Sequence, residues 1–128
     1  MRWLLDTNVV IDAFAGRPEA INAIKSAREA DLEWIGYSAI TRLEVLGFPE
    51  LTAADEAGLQ QLLAQFSEAP VTAPVIEKAI EIRRSVRIKI PDAVISATAL
   101  IYSASLVTRN VRDFSVITQL AIVDPASL

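Results

Sequence analysis

Short apolar segments alternate along this chain with longer segments of helical period, and this alternation restricts its fold more than any other feature. The apolar segments cover residues 3–5, 32–37, 106–107 and 121–123. Each has the length of a short buried strand, and helical segments separate the first three. Strands that alternate with helices predict an α/β fold with a mainly parallel central sheet covered by helices on both faces.

Six helical segments are predicted from their starting residues as well as from their period. Ser38 and Thr52 can cap the helices that follow them. Pro18, Pro74 and Pro91 suit the first turn of a helix, where the missing N–H would have no partner in any case. The remaining helix follows Asp6 directly. No repeat or linker-like stretch interrupts the pattern, so residues 1–128 are predicted to form a single domain.

The chain contains neither histidine nor cysteine, and this removes several classes of enzyme. Without cysteine there are no thiolate nucleophiles, disulfides or cysteine-based zinc sites. Without histidine there is no imidazole acid–base catalysis and no triad that depends on it. Any hydrolytic activity must therefore rest on carboxylates, hydroxyls, lysine or arginine, and we expect it to use a metal ion.

Charge and hydropathy limit the partners and the location. The net charge is −4, which argues against a broad basic face that coats nucleic acid but not against an enzyme that meets phosphates through bound cations. The longest uncharged stretch, residues 93–108, falls short of the roughly 20 apolar residues that a membrane-spanning helix needs. The N-terminus has no apolar run of the signal-peptide kind, because Asp6 interrupts it. We expect a cytoplasmic protein with no membrane contact.

Four acidic residues stand out by position, and three of them fall at or just after strand ends or helix starts, where one crevice could collect them. Asp6 ends the first strand, and ligands of open α/β sheets bind outside the carboxyl ends of the strands. Asp92 lies in the first turn of a helix, Asp113 follows the strand at 106–107, and Glu44 lies in a mostly apolar helix. Each position also fits a structural role, either a helix cap, an acid favoured by the helix dipole, or a solvated side chain. Taken singly, no position decides between the two roles.

Taken together, the four acids predict a metal site. Carboxylates gathered in one crevice repel one another and resist ionising together. A cluster of this kind needs divalent cations, and hard oxygen ligands favour Mg²⁺ or Mn²⁺ over zinc.

The residues around these acids carry a family resemblance. The segments LLDTNV, SAITRLE, PDAVISA and LVTRNVRDF, at residues 4–9, 38–44, 91–97 and 106–114, resemble the four signature blocks of PIN domains. Their order and spacing, and the length of the chain, are similar to those of the VapC-type toxins of bacterial and archaeal toxin–antitoxin pairs. One block alone would be weak support, whereas all four in order cover nearly the whole chain.

The resemblance implies a three-layer α/β/α fold with the four acids around one or two Mg²⁺ or Mn²⁺ ions. It implies RNA as the substrate, a homodimer, and a small VapB-like antitoxin as the partner. Thr7 and Thr108 match polar positions that help to shape the site in the family, and Asn110 stands where some relatives carry another acid. A metal ion can activate a water and offset the charge of a phosphate without histidine, so the composition agrees with the resemblance.

Basic residues lie near these blocks. Arg87, Lys89 and Arg112 are candidates for guiding RNA phosphates to the metal site. The same side chains also fit a solvated helix face with ion pairs one turn apart.

Other functions on a similar sheet fit less well. A phospho-acceptor receiver domain would have adjacent acids after its first strand and a lysine after its last, and a haloacid-dehalogenase-type phosphatase would have two acids separated by one residue. Neither pattern follows Asp6. Two alternatives stay open: a non-catalytic RNA- or protein-binding module on the PIN fold, and a housekeeping PIN nuclease without an antitoxin.

Overall fold

A computed structural model describes all 128 residues and contains a five-stranded sheet. The strands are β1 (Arg2–Leu5), β2 (Trp34–Ser38), β3 (Ser67–Ala69), β4 (Ser105–Val107) and β5 (Ile122–Val123). Their order across the sheet is β3-β2-β1-β4-β5, and every neighbouring pair is parallel. The predicted α/β fold with a parallel sheet is therefore confirmed.

Helices separate and follow these strands. They are α1 (Thr7–Phe14), α2 (Pro18–Glu29), α3 (Ala39–Leu46), α4 (Ala53–Leu63), α5 (Ala73–Ser85), α6 (Ile90–Ile101) and α7 (Val111–Phe114), with a 3₁₀ turn at Pro125–Ser127. The predicted caps are present: Ser38 Oγ accepts from the Ile40 N–H at 3.1 Å, and Thr52 Oγ1 accepts from the Asp55 N–H at 3.0 Å. None of the helices has the length and apolar character needed to cross a membrane.

The helices cover both faces of the sheet, and each face has its own hydrophobic core. Successive residues of a strand point to opposite faces, so Leu4 packs in one core while Trp3 and Leu5 pack in the other. In the neighbouring strand β4, Leu106 packs in the same core as Leu4, and Val107 packs in the same core as Trp3 and Leu5. Burial on both faces fixes the register of the central strands, because a slip of one residue would exchange their two faces.

Three features of the fold differ from the sequence prediction. The prediction contains neither strand β3 nor the short helix α7, and β2 covers Trp34–Ser38 rather than residues 32–37. The β3 segment reads Ser-Glu-Ala and has no apolar alternation, because it lies at the edge of the sheet with two of its three residues exposed. Strand β3 belongs to the sheet because it pairs with residues 36–38 of β2. This pairing joins segments distant in the sequence, so the residues of β3 and their neighbours do not reveal it.

Candidate active site

The site lies where the carboxyl ends of the central strands meet. Asp6 is the first residue after β1, and Thr108 is the first residue after β4. Helix α3, which carries Glu44, begins directly after β2. In a parallel sheet these strand ends share one edge, so the chain brings acidic and hydroxyl side chains from three strand ends together.

Asp6 is buried, with 4% of its surface exposed, and both of its carboxylate oxygens are held. The Thr7 backbone N–H donates to Oδ1 and the Thr108 hydroxyl donates to Oδ2, each at 2.8 Å. The first contact makes Asp6 the N-cap of α1 as well. The pKa of Asp6 is raised to about 6, chiefly by burial and also by the charges of Asp92 and Glu44, while the two hydrogen bonds oppose the rise. The protein thus fixes this carboxylate and supplies no positive charge to it.

Glu44 projects from α3 toward the start of α1 and is exposed to solvent. The Thr7 hydroxyl donates to Glu44 Oε1 at 2.8 Å. The same hydroxyl lies 2.9 Å from the hydroxyl of Thr41, which is one turn before Glu44 in α3. Threonine hydroxyls therefore hold both Asp6 and Glu44.

Asp92 and Asp113 are placed on the more open side of the site. Asp92 lies half-buried in the first turn of α6, and Asp113 lies exposed in α7. Burial raises the pKa of Asp92, the charges of Glu44 and Asp113 raise it further, and the charge of Lys89 lowers it. No hydrogen bond contributes to this shift. We call these four acids one electrostatic group, because Glu44 and Asp92 raise the pKa of Asp6, and Glu44 and Asp113 raise that of Asp92.

A polar network ties the segment after β4 to α1. The Asn8 side chain donates to Thr108 Oγ1 at 3.4 Å and accepts from the Arg109 backbone N–H at 3.3 Å. The backbone N–H of Asn110 donates to Thr108 Oγ1 at 3.0 Å. Thr108 is fully buried. Asn110 enters the network through its backbone, and its predicted side-chain contribution stays a prediction.

The donor set suits a hard divalent cation. Carboxylates and waters are oxygen ligands that suit Mg²⁺ and Mn²⁺. With the side chains as they stand, no three acidic groups are arranged to enclose one ion. Mg²⁺ keeps several waters and often takes only one or two carboxylates, so the arrangement suits a hydrated ion held by part of the set. Burial is the main cause of the raised pKa values of Asp6 and Asp92, and a bound cation would offset the repulsion that adds to it.

The predicted RNA-binding residues differ in their relation to this group. Lys89 is close enough to Asp92 to lower its pKa. Arg112 is exposed beside Asp113 in α7, and Arg87 is exposed in the segment that joins α5 to α6. The Arg83 side chain donates to the backbone carbonyl of Ile88 at 3.3 Å and so shapes that segment. The RNA contacts themselves stay a prediction.

Two polar residues in contact with this region were given no role by sequence reasoning. Thr41 contacts Thr7, and Asp12 accepts hydrogen bonds from the guanidinium of Arg109 at 2.8 and 3.4 Å. A signal for both was available. Thr41 lies three residues before Glu44, and Asp12 lies four residues after Asn8, spacings that place each pair on one face of its helix.

The chain is similar to known proteins over nearly its whole length. The family model of the PIN domain matches residues 3–119. A chain of a toxin–antitoxin complex from Klebsiella pneumoniae is 34% identical with a TM-score of 0.78, and the match covers 95% of this chain and 96% of that chain. FitAcB from Neisseria gonorrhoeae contains a chain that is 26% identical with a TM-score of 0.73, over 98% of this chain and 99% of that chain.

A more distant structure has the same fold. VapBC2 from Rickettsia felis, solved bound to a DNA fragment from its promoter, contains a chain with 21% identity and a TM-score of 0.84 over 96% of this chain and 98% of that chain. At this identity the likeness shows the shared fold alone. No match is found among curated proteins.

Proposed function

Because the chain belongs to the PIN domain family, we propose that it is a Mg²⁺- or Mn²⁺-dependent endoribonuclease whose metal ligands and catalytic residues are Asp6, Glu44, Asp92 and Asp113. One observation carries the proposal. Four acids from separate elements form one electrostatic group at the carboxyl edge of the sheet, and none of them takes part in any of the protein's ion pairs. Lys89 is the one basic residue whose charge acts on the group, through Asp92. Four like charges with so little countercharge are unfavourable unless a cation binds there.

The residues of the chain supply position and charge to this chemistry. A bound divalent ion lowers the pKa of a water and offsets negative charge on the phosphate. Asp6 gives a rigid anchor because Thr7 and Thr108 hold both of its oxygens. Glu44 is oriented by Thr7. The Asp92 carboxylate, unlike those of Asp6 and Glu44, has no hydrogen bond to hold it, so it could turn toward an ion.

RNA would approach across the open side of the site. Lys89, Arg87 and Arg112 are exposed there or next to it, and their charges would meet phosphate oxygens. Asn110, exposed after Thr108, could contribute through a water. The net charge of −4 means that attraction of RNA depends on these few residues and on the bound cations rather than on the whole surface.

A role as the toxin of a toxin–antitoxin pair extends the proposal. It rests on the 34% identity to a chain of the Klebsiella pneumoniae complex over nearly the full length of both chains. The protein would act as a homodimer of single 128-residue domains in the cytoplasm and would be neutralised by a small VapB-like antitoxin. A short open reading frame should lie beside the gene, and its product should suppress the toxicity of this protein.

The nuclease proposal is tested by cleavage of RNA with purified protein in EDTA and after addition of Mg²⁺ or Mn²⁺. Cleavage should vanish in EDTA and return with the metal. Glu44→Gln should abolish it, while Glu50→Gln, the same change at an exposed residue just after α3, should not. Full activity in EDTA, or in the Glu44 variant, contradicts the proposal.

The toxin role can be wrong even if the nuclease proposal is correct, so it is tested separately. If the protein cleaves RNA but its expression alone is harmless and no such neighbour exists, it is a housekeeping nuclease. If it binds RNA in the presence of Mn²⁺ and never cleaves it, it is a non-catalytic module.

A further inference from the structure

Thr41 is fully buried in α3, yet its hydroxyl is directed at the site rather than at its own helix. Its Oγ1 lies 2.9 Å from Thr7 Oγ1, and Thr7 Oγ1 lies 2.8 Å from Glu44 Oε1. Another buried threonine, Thr98 in α6, shows the usual alternative, because its hydroxyl donates to the Val94 carbonyl one turn before it at 2.7 Å. The hydroxyl of Thr41 therefore links two helices, whereas that of Thr98 stays within one.

The direction of this link follows from counting protons. A hydroxyl has one hydrogen to donate and two lone pairs to accept with, and an ionised carboxylate only accepts. The Thr7 hydrogen is used in the bond to Glu44. The bond between the two hydroxyls must then be donated by Thr41 to Thr7. The chain of bonds runs in one direction, from the buried Thr41 through Thr7 to the exposed carboxylate.

Burial at the start of this chain makes it persistent. A buried hydroxyl without a partner is unfavourable, and Thr7 is the partner that the structure gives to Thr41. That bond occupies a lone pair of Thr7 and leaves its hydrogen directed at Glu44. Glu44 itself is exposed, and an exposed glutamate without such a contact samples several rotamers.

We propose that Thr41 is a positioning residue, which holds Glu44 ready for a divalent cation by fixing the hydroxyl of Thr7. The inference rests on the proposed metal site. Hydrogen-bond partners that orient metal ligands typically contribute about 10- to 100-fold to metal affinity or activity. The effect expected here lies at the lower end of that range, because Thr41 acts through one intervening group.

The test compares Thr41→Val, Thr41→Ser and Thr98→Val by Mn²⁺ titration calorimetry and by RNA cleavage kinetics. Valine keeps the shape of threonine and removes the hydroxyl. Thr41→Val should weaken Mn²⁺ binding roughly tenfold and lower kcat while KM for RNA changes little. Thr41→Ser should restore both values. Thr98→Val loses the same buried group away from the carboxylates, so it should bind Mn²⁺ like the wild type.

A double-mutant cycle with Thr7→Val separates this inference from a general loss of packing. If Thr41 acts only through Thr7, Thr41→Val should weaken Mn²⁺ binding no further in the Thr7→Val background. Should Thr41→Val fail to fold, Thr7→Val at a half-buried position breaks the same chain next to Glu44 and should weaken Mn²⁺ binding at least tenfold.

Wild-type Mn²⁺ affinity in folded Thr41→Val, or in Thr7→Val, overturns the inference and leaves the nuclease proposal intact. Absence of both Mn²⁺ binding and cleavage in the wild type overturns the proposed function, and the inference with it.

Discussion

Two aspartates, one at each end of α1, are buried to nearly the same extent but have different charged neighbours. Asp6 is 4% exposed and Asp12 is 7% exposed. Asp12 pairs with the guanidinium groups of Arg109 at 2.8 Å and Arg17 at 3.4 Å. Asp6 accepts only from uncharged donors and has two other acids nearby. The protein thus neutralises the buried carboxylate of Asp12 with its own arginines, whereas the carboxylate of Asp6 has no cationic partner within the protein.

The difference separates a structural charge from a functional one. A buried charge is tolerated when it is paired and hydrogen-bonded, as Asp12 is. The arrangement around Asp6 instead raises the pKa of the carboxyl to about 6, mainly through burial, which weakens the folded state at neutral pH. Perturbed groups of this kind cluster at functional sites. Substitutions at the two places are therefore expected to have opposite effects on stability.

The largest effect is expected for Asp92→Asn. Loss of a metal ligand should lower RNA cleavage roughly a hundredfold or more, since each 1.4 kcal/mol of transition-state stabilisation is about tenfold in rate. The metal-free variant should be at least as stable as the wild type, because one repelling charge is removed. Added Mg²⁺ should raise the melting temperature of the wild type more than that of the variant. Melting curves and a cleavage assay measure both.

Asp55→Asn is the matched control, because Asp55 also lies in the first turn of a helix, α4, away from the acidic group. It should lose a few tenths to about 1 kcal/mol of stability and keep full activity. If Asp92→Asn behaves in the same way, Asp92 only favours the start of α6.

A pH dependence of similar size is expected from Asp6 in the metal-free protein. The pKa of its carboxyl rises from the ordinary value of 3.8 to about 6 in the folded state, so the folded state binds the proton more tightly than the unfolded chain. The stabilisation is fully present below about pH 4 and is lost as the pH rises to about 6. At about 1.36 kcal/mol per pKa unit, it amounts to about 2–3 kcal/mol.

Urea unfolding in EDTA at several pH values, for the wild type and Asp6→Asn, measures this contribution together with that of the acids coupled to Asp6, because groups distant from Asp6 cancel in the difference. The free-energy difference between the two proteins should change by that amount between about pH 4 and pH 7 in favour of the variant. A difference that does not depend on pH would show that Asp6 has an ordinary pKa.

Asp12→Asn should have the opposite effect, with a smaller magnitude. The variant loses charge-assisted hydrogen bonds to Arg109 and Arg17, whose side chains are 59% and 65% exposed and can be solvated again. A loss of about 1 kcal/mol is expected in the metal-free protein. Urea unfolding beside Asp92→Asn checks the sign. If both variants are stabilised, or both destabilised, the distinction between neutralised and uncompensated acids is wrong.

The acidic group was predictable from sequence because the position of each acid within its own strand or helix is visible in the neighbouring residues. A carboxylate at a strand end or in the first turn of a helix can be recognised from its neighbours, as Asp6, Asp92 and Asp113 were. Glu44, inside a mostly apolar helix, was selected by the family resemblance, and it lies in the same electrostatic group. Family resemblance supplied their order. Their roles as metal ligands are still predictions.

The contacts around the group were not predictable in the same way. Arg109 and Asp12 are 97 residues apart, and Thr7 and Thr41 are 34 apart. Arg109 lies in one of the family blocks, but nothing in the sequence pairs it with Asp12, because the pairing exists only after β1 and β4 lie side by side. Strand β3 was missed for the same reason.

The smallest effect is expected for the basic residues at the rim of the site, where a positive charge faces water rather than a buried acid. Arg87→Ala should raise KM for RNA about threefold and leave kcat unchanged, because an exposed phosphate contact adds little beyond screened attraction. Loss of one phosphate contact should lower the slope of log KM against log salt by about 0.7, the value for a single strand.

Arg84→Ala removes the same charge from the exposed face of the last turn of α5 and is the matched control. Equal changes in slope for the two variants would mean that Arg87 contributes only to the general field of the protein, and that the rim of the site contains no specific phosphate contact at this residue.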